Sequence, residues 1–219
     1  MIKGALVELM PAFGLSMPNV VAFQFNPETL RHAWSQPPAT TAGSDPLAAQ
    51  GLPGETFSLT LAMDATDQLA RGETDPQGAD ARRNGVSSRL AALEMLMFPL
   101  DADSGLTAVA APTGGRRSVP AAQLRTVLFV WGEGRIVPVR VTSLVVTEKL
   151  FDATLNPTHA EAQIELRVLT RDDCEAIAGP LKVVASGAYA YSQKRREVQA
   201  LFNLTTAAGS IELPHFPGI

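Results

Sequence analysis

Alternation of apolar and polar positions dominates the chain. Phe57, Leu59, Leu61 and Met63 alternate with Thr56, Ser58, Thr60 and Ala62. That period of two predicts a strand with one face on a core. Ala160, Ile164, Leu166 and Val168 alternate with Glu161, Gln163, Glu165 and Arg167, the same pattern with a more charged outer face. Val21, Phe23 and Phe25 alternate with Ala22 and Gln24, and Pro27 closes that strand. Residues 124–131 and 136–146 are apolar on both faces, with Gly132, Glu133 and Gly134 between them as hairpin chemistry. Strands of that kind need cover twice, from a second sheet and a helix or from another subunit.

One segment changes period. Val86, Leu90, Leu93 and Met97 form a helical stripe, with Asn84 or Ser87 as its cap and Pro99 ending it near Phe98. A second helical candidate covers about 188–203, where Tyr191, Val198, Leu201 and Phe202 share a face, although Tyr189 and Tyr191 also suit a strand. Three stretches read as long loops: 36–54 with Pro37, Pro38, Pro46 and Pro53, the charged 71–84, and the small-residue 101–121. Loops of this length are usually functional or mobile. The predicted core is Phe23, Phe25, Phe57, Leu59, Leu61, Ile164, Leu166 and Val168, facing Leu90, Leu93 and Met97. The chain thus reads as a mainly β domain over 1–171, a sandwich or barrel with one helix, followed by an extension over 172–219.

Composition narrows the classes. The 219 residues suit one large domain or two small ones, and 46% hydrophobic content with 18% charge excludes a wholly disordered chain. A net charge of -4 argues against a nucleic-acid binder. Cys174, the single cysteine, has no internal disulfide partner. No run approaches the roughly 20 apolar residues of a membrane span, and the N-terminus has no signal-peptide layout. These features predict a soluble chain that folds in the cytoplasm.

Reactive chemistry is sparse. The histidines are His32, His159 and His215, no serine occupies a nucleophile elbow, and Asp172, Asp173 and Glu175 around Cys174 would raise a thiol pKa. No zinc-ligand spacing occurs. Asp101 and Asp103 resemble the start of a calcium loop, but Leu106 and Pro112 stand where that loop needs Gly and Glu. Gly114, Gly115, Arg116 and Arg117 lack the strand and helix of a P-loop, so a flexible loop is the simpler reading. Lys194, Arg195 and Arg196 read as a solvated face, and Trp34 and Trp131 as packing anchors. Neither an enzyme nor a cofactor or metal site is predicted.

The run Phe23-Gln24-Phe25-Asn26-Pro27-Glu28-Thr29-Leu30, with Trp34 soon after, resembles the opening of the tube-type proteins of contractile injection systems, the phage-tail-like particles. A strand like Glu55 to Leu61, a helix ending near proline and a hairpin like Leu128-Phe129-Val130-Trp131-Gly132 follow in the family's order. Val141 to Leu144, Leu150-Phe151-Asp152 and Asn156 to Ala162 complete the series, which covers about residues 2–171. Within that family the chain is most similar to the baseplate adaptor, or tube initiator, which sits between spike hub and inner tube. No LysM-like pattern follows Arg171, as in a shorter member.

The resemblance implies a tail-tube fold, two antiparallel sheets rolled against each other with a helix at one edge. It implies copies joined edge to edge in a hexameric ring. The implied partners are the spike hub protein, the inner tube protein and neighbouring baseplate or sheath proteins, with no nucleic acid and no membrane insertion. Assembly would occur in the cytoplasm, within a particle that stays inside the cell or is released. Pro37, Pro38, Pro46 and Pro53 are the expected loop contacts. Glu161, Gln163, Glu165 and Arg167 are expected to face the lumen or a neighbour, against the simpler reading of a solvated strand face. The alternatives are the main inner tube subunit or a tube cap and, in another class, a β-sandwich ligand-binding module or hydrolase.

Overall fold

The computed structural model describes residues 2–9, 19–37, 51–99, 125–177, 179 and 181–207. Its centre is one seven-stranded antiparallel sheet in the order β2-β1-β5-β6-β7-β4-β3. The strands are β1 (Ala5–Leu9), β2 (Val20–Ala22), β3 (Leu30–Ser35), β4 (Gly54–Asp64), β5 (Thr126–Val130), β6 (Ile136–Phe151) and β7 (Pro157–Val168). The mainly β expectation holds; the described strands form one open sheet, so the expected two-sheet sandwich or barrel is not seen among the described residues. All seven strands share one ladder, and its edges β2 and β3 are not hydrogen-bonded to each other.

The sheet is strongly curled. Phe57 on β4 and Phe129 on β5 are three strand spacings apart, about 14 Å in a flat sheet. Their ring centroids nonetheless lie 5.3 Å apart across the interior. The short connection 23–29 between the two edge strands requires the same roll. A curled sheet gives strands an inner face like that of a sandwich, which is why period two alone does not separate the two architectures.

Inside the roll lie Leu6, Phe23, Phe57, Leu59, Leu61, Ile164, Leu166 and Val168, all buried. Phe25 is the exception among the predicted core residues, at 47% exposed. The chain bends at Gln24 and Phe25 and leaves strand geometry there, so alternation no longer governs which side faces the core.

Helices close one end of the roll. α1 (Thr66–Leu69), α2 (Pro76–Asn84) and α3 (Ser87–Glu94) are followed by a 3₁₀ turn at Met95–Met97. Val86, Leu90 and Leu93 are buried and Met97 packs against the core from its edge, as the stripe predicts, and Leu96, outside the stripe, is buried beside them. Neither Asn84 nor Ser87 caps α3, whose N-cap is Val86 without a side-chain bond. The predicted loop 71–84 instead contains α2. Asp75 caps it by accepting from the Gln77 and Gly78 N–H groups, and Pro76 supplies the preset first turn.

The predicted C-terminal helix is longer than its stripe. α4 (Arg171–Ala176) precedes α5 (Leu181–Ala207), a 27-residue helix that packs against β5 and β6. Thr170 and Asp173 form a capping box at the start of α4. α5 buries only Ala185 and Ser192, while Tyr191, Val198, Leu201 and Phe202 remain exposed. Its docking is largely polar: the Tyr191 hydroxyl donates to the Glu133 carbonyl at 2.9 Å, and the Ser192 hydroxyl to that of Ile136 at 2.7 Å. No helix among the described residues is long and apolar enough to cross a membrane.

Candidate functional site

The Phe23–Pro27 corner does structural work through its amides. The Gln24 side chain donates to the Asp64 carbonyl and accepts from the Asp64 N–H, both at 2.9 Å. It therefore imitates a strand pairing beyond the end of β3, which covers β4 only as far as Leu59. Arg89 from α3 also donates to Gln24 Oε1. Asn26 repeats the device, accepting from Gly4 N–H at 2.9 Å and donating to the Ile2 carbonyl at 3.0 Å. The corner thereby ties the opened edge of the roll to β4, to α3 and to the segment before β1.

The second feature is the outward face of β7. In register, Arg140, Arg167 and Thr56 form one row across β6, β7 and β4. Ser143, Glu165 and Ser58 form the next, Val145, Gln163 and Thr60 the third, and Thr147, Glu161 and Ala62 the fourth. The structure thus places Glu161, Gln163, Glu165 and Arg167 together on one polar, small-residue face. Glu161 is held by Lys149 at 2.6 Å, and Arg167 reaches Asp173 at 3.4 Å. Burial works against the Asp173 charge, yet the Thr170 N–H and hydroxyl, with Arg167 and Arg140, hold its carboxyl below the ordinary value. Pro37 and Pro53 are half-buried where β3 ends and β4 begins. Pro38 and Pro46 lie outside the described residues.

The β6–β7 hairpin ends in a preorganised apolar tip. Beyond a bulge between Val141 and Ser143, β6 becomes progressively exposed. Leu150 and Leu155 adopt positive φ of 53° and 66°, and with Phe151 they project into solvent. The Asp152 carboxylate organises this turn by accepting from the Thr154 hydroxyl and from the Thr154 and Asn156 N–H groups. The Thr154 hydroxyl and the Asn156 N–H bring the Asp152 pKa down to about 2 from 3.8. Because the folded value is depressed, the contribution of these bonds is present above pH 3.8 and is lost as pH falls toward about 2. In an acid titration followed by NMR, the Thr154 and Asn156 amides should therefore shift with a midpoint near 2. A midpoint at the ordinary carboxylate value would mean that the network does not form in solution.

A third cluster joins α5 to the sheet. Glu55 is buried at 3% exposure and is bound by Arg196 and, at 2.8 Å, by His32. Arg196 lies 4.6 Å over Trp34, while Arg135 stands 5.1 Å over Phe57, on which the ring of His32 also stacks. The basic run is therefore not simply solvated: Arg196 is a docking side chain and Arg195 lies over Tyr191. Trp131 packs against Phe23 and Phe129 as an anchor, but Trp34 is half-exposed beneath Arg196. The signal missed in the sequence is Glu55 at the first inward-facing end of a strand, a charge that requires a distant cation.

The remaining reactive groups serve the fold. His159 sits 3.4 Å from Asp64, whose carboxyl is held below its usual value chiefly by Thr66. Cys174 is buried, and burial followed by the Asp173 charge pushes its thiol up to about 11. Native protein at pH 8 should accordingly resist iodoacetamide and take up one label only after denaturation. Rapid native labelling would show that α4 opens. Among the described residues no cluster of three His, Cys, Asp or Glu side chains is arranged to hold a metal. His215, the acidic turn at 101–105 and the 114–117 run lie outside the described residues. No family model and no curated protein matches the sequence.

Proposed function

We propose that the chain is a structural subunit of a contractile injection system: the ring-forming adaptor that joins the spike hub to the inner tube and initiates tube assembly. The observation that carries this reading is the open sheet with β3 along one edge, six residues long and exposed along most of its length. Monomeric proteins commonly shorten or cover such an edge, because its unpaired backbone groups recruit further strands. Closure of a ring removes the edge by pairing it with the next copy. The ordered resemblance from Phe23-Gln24-Phe25-Asn26-Pro27 to Ala162 supports the same reading. So does the polar face carrying Gln163 and Glu165, which suits a lumen through which cargo slides. The activity is geometric: one ring face matches the hub, the other presents the surface that the first tube ring recognises.

Size-exclusion chromatography with light scattering, followed by negative-stain microscopy, tests this reading. The purified chain should form annular particles, with six copies as the family resemblance implies, and should seed stacks only when inner tube protein is added. Removal of about 39–49 should leave a folded monomer that no longer closes rings. Self-stacking into long tubes would identify the main tube subunit instead. A monomer at all concentrations that ignores both hub and tube proteins would overturn the proposal.

A further inference from the structure

A cleft of about 570 Å³ runs between β2, the Phe25 corner, the uncovered end of β4 and helices α1 to α3. Its size falls in the range of ligand sites. Three features of its lining point to one kind of occupant. First, Val20, Val21 and Ala22 all border it, and among the described residues β2 pairs with β1 on one side only. A strand edge beside a cleft is a template for an added strand. Second, Val20 and Phe25 line it, and about half of each of these apolar side chains is exposed to solvent. Third, the ionisable lining is Lys3, Arg71 and Arg89 against the single carboxylate Asp67.

Arg89 is the most informative of these. Burial pulls its pKa below the usual value against the opposing pull of the Asp80 and Asp64 charges, so the cation stands in a partly dehydrated place. Among the described residues no carboxylate lies at ion-pair distance from it. Its bonds go to Gln24 Oε1 and, at 3.5 Å, to the Asp64 carbonyl, both neutral acceptors. Arg71, on the rim, is likewise bonded to the neutral amide of Gln77 at 3.1 Å. A guanidinium reaches its strongest contacts with carboxylates, and these two have donors to spare.

We propose that this cleft docks an extended segment of a partner protein carrying Asp or Glu between apolar residues. The segment's backbone pairs with the free edge of β2, its apolar side chains cover Val20 and Phe25, and its carboxylate meets Arg71 and Arg89. The site lies at β2, a different sheet edge from β3, on which the ring reading rests.

The test uses a capped heptapeptide alternating valine with glutamate, its glutamine twin, and hexanoate as a small carboxylate without a peptide backbone. Each is titrated into isotope-labelled full-length protein and followed by NMR. The acidic peptide should shift the Val20 and Ala22 amides and bind at least about tenfold more tightly than the glutamine twin. Phe25→Ala and Arg71→Glu, both at exposed positions that leave the core intact, should each weaken it by about tenfold. Equal binding of the twins would overturn the charge argument. Hexanoate binding without peptide binding would make the cleft a small-acid pocket and overturn the partner assignment. Absence of any shift at millimolar peptide would overturn the site itself.

Discussion

Arg125→Met should destabilise the protein by about 3–5 kcal/mol, the usual cost of stripping a buried charge of its partner. Glu8 follows Leu6 on the inward face of β1, and both are buried, Glu8 completely. Its ion pair with Arg125 is the compensation visible for that charge, and Glu8 Oε2 has no hydrogen-bond partner among the described residues. With Arg125 removed, the buried carboxylate is left without its charge partner in a dry site, which reduces stability. Replacing the pair together, Glu8→Leu with Arg125→Met, should recover most of the loss, because apolar side chains of similar volume carry no desolvation penalty. Urea unfolding of the three variants checks this. A single-variant loss under about 1 kcal/mol would show that water already reaches Glu8.

Glu8 also illustrates what the sequence conceals. Period two identifies β4 and β7 almost residue by residue, because their inner and outer faces meet different solvents. The same rule misplaces Phe25, since it assumes a straight strand and the chain turns at Gln24 to use an amide as a backbone partner. The α2 helix was legible in Asp75-Pro76, a cap followed by a preset first turn. Its charged composition and its buried face of only Gly78 and Ala81 hid it. Arg196 is a different case. Its partner Glu55 is 141 positions away, so no local pattern could separate a docking side chain from a solvated one. The candidate surfaces divide similarly. The polar face of β7 follows from alternation, whereas the cleft beside Phe25 exists only once β2, β4 and the helices have met.

That meeting includes a close backbone contact, which Gly85→Ala should expose. Gly85 ends α2 with φ 58° and ψ −122°, a conformation that residues with a Cβ rarely adopt. A Cβ built there would lie 2.1 Å from the Pro157 carbonyl oxygen. That oxygen cannot retreat freely, because it accepts the Val86 N–H at 2.8 Å. Asn156, the preceding residue, donates to the Arg83 carbonyl at 2.9 Å. The helical layer and the hairpin are thus tied at the very place where the methyl group would enter. Backbone strain and the loss of these bonds together predict a cost of about 3–5 kcal/mol. Gly132→Ala supplies the control. Gly132 also has positive φ, 65°, but nothing lies within 4 Å of its added Cβ, so strain alone should cost about 1–2 kcal/mol. Thermal and urea unfolding of both variants separate the contributions. Equal losses would mean that the α2–α3 junction yields to the methyl group, and that the helices are held to the sheet by the Leu90, Leu93 and Leu96 contacts rather than by the Pro157 carbonyl.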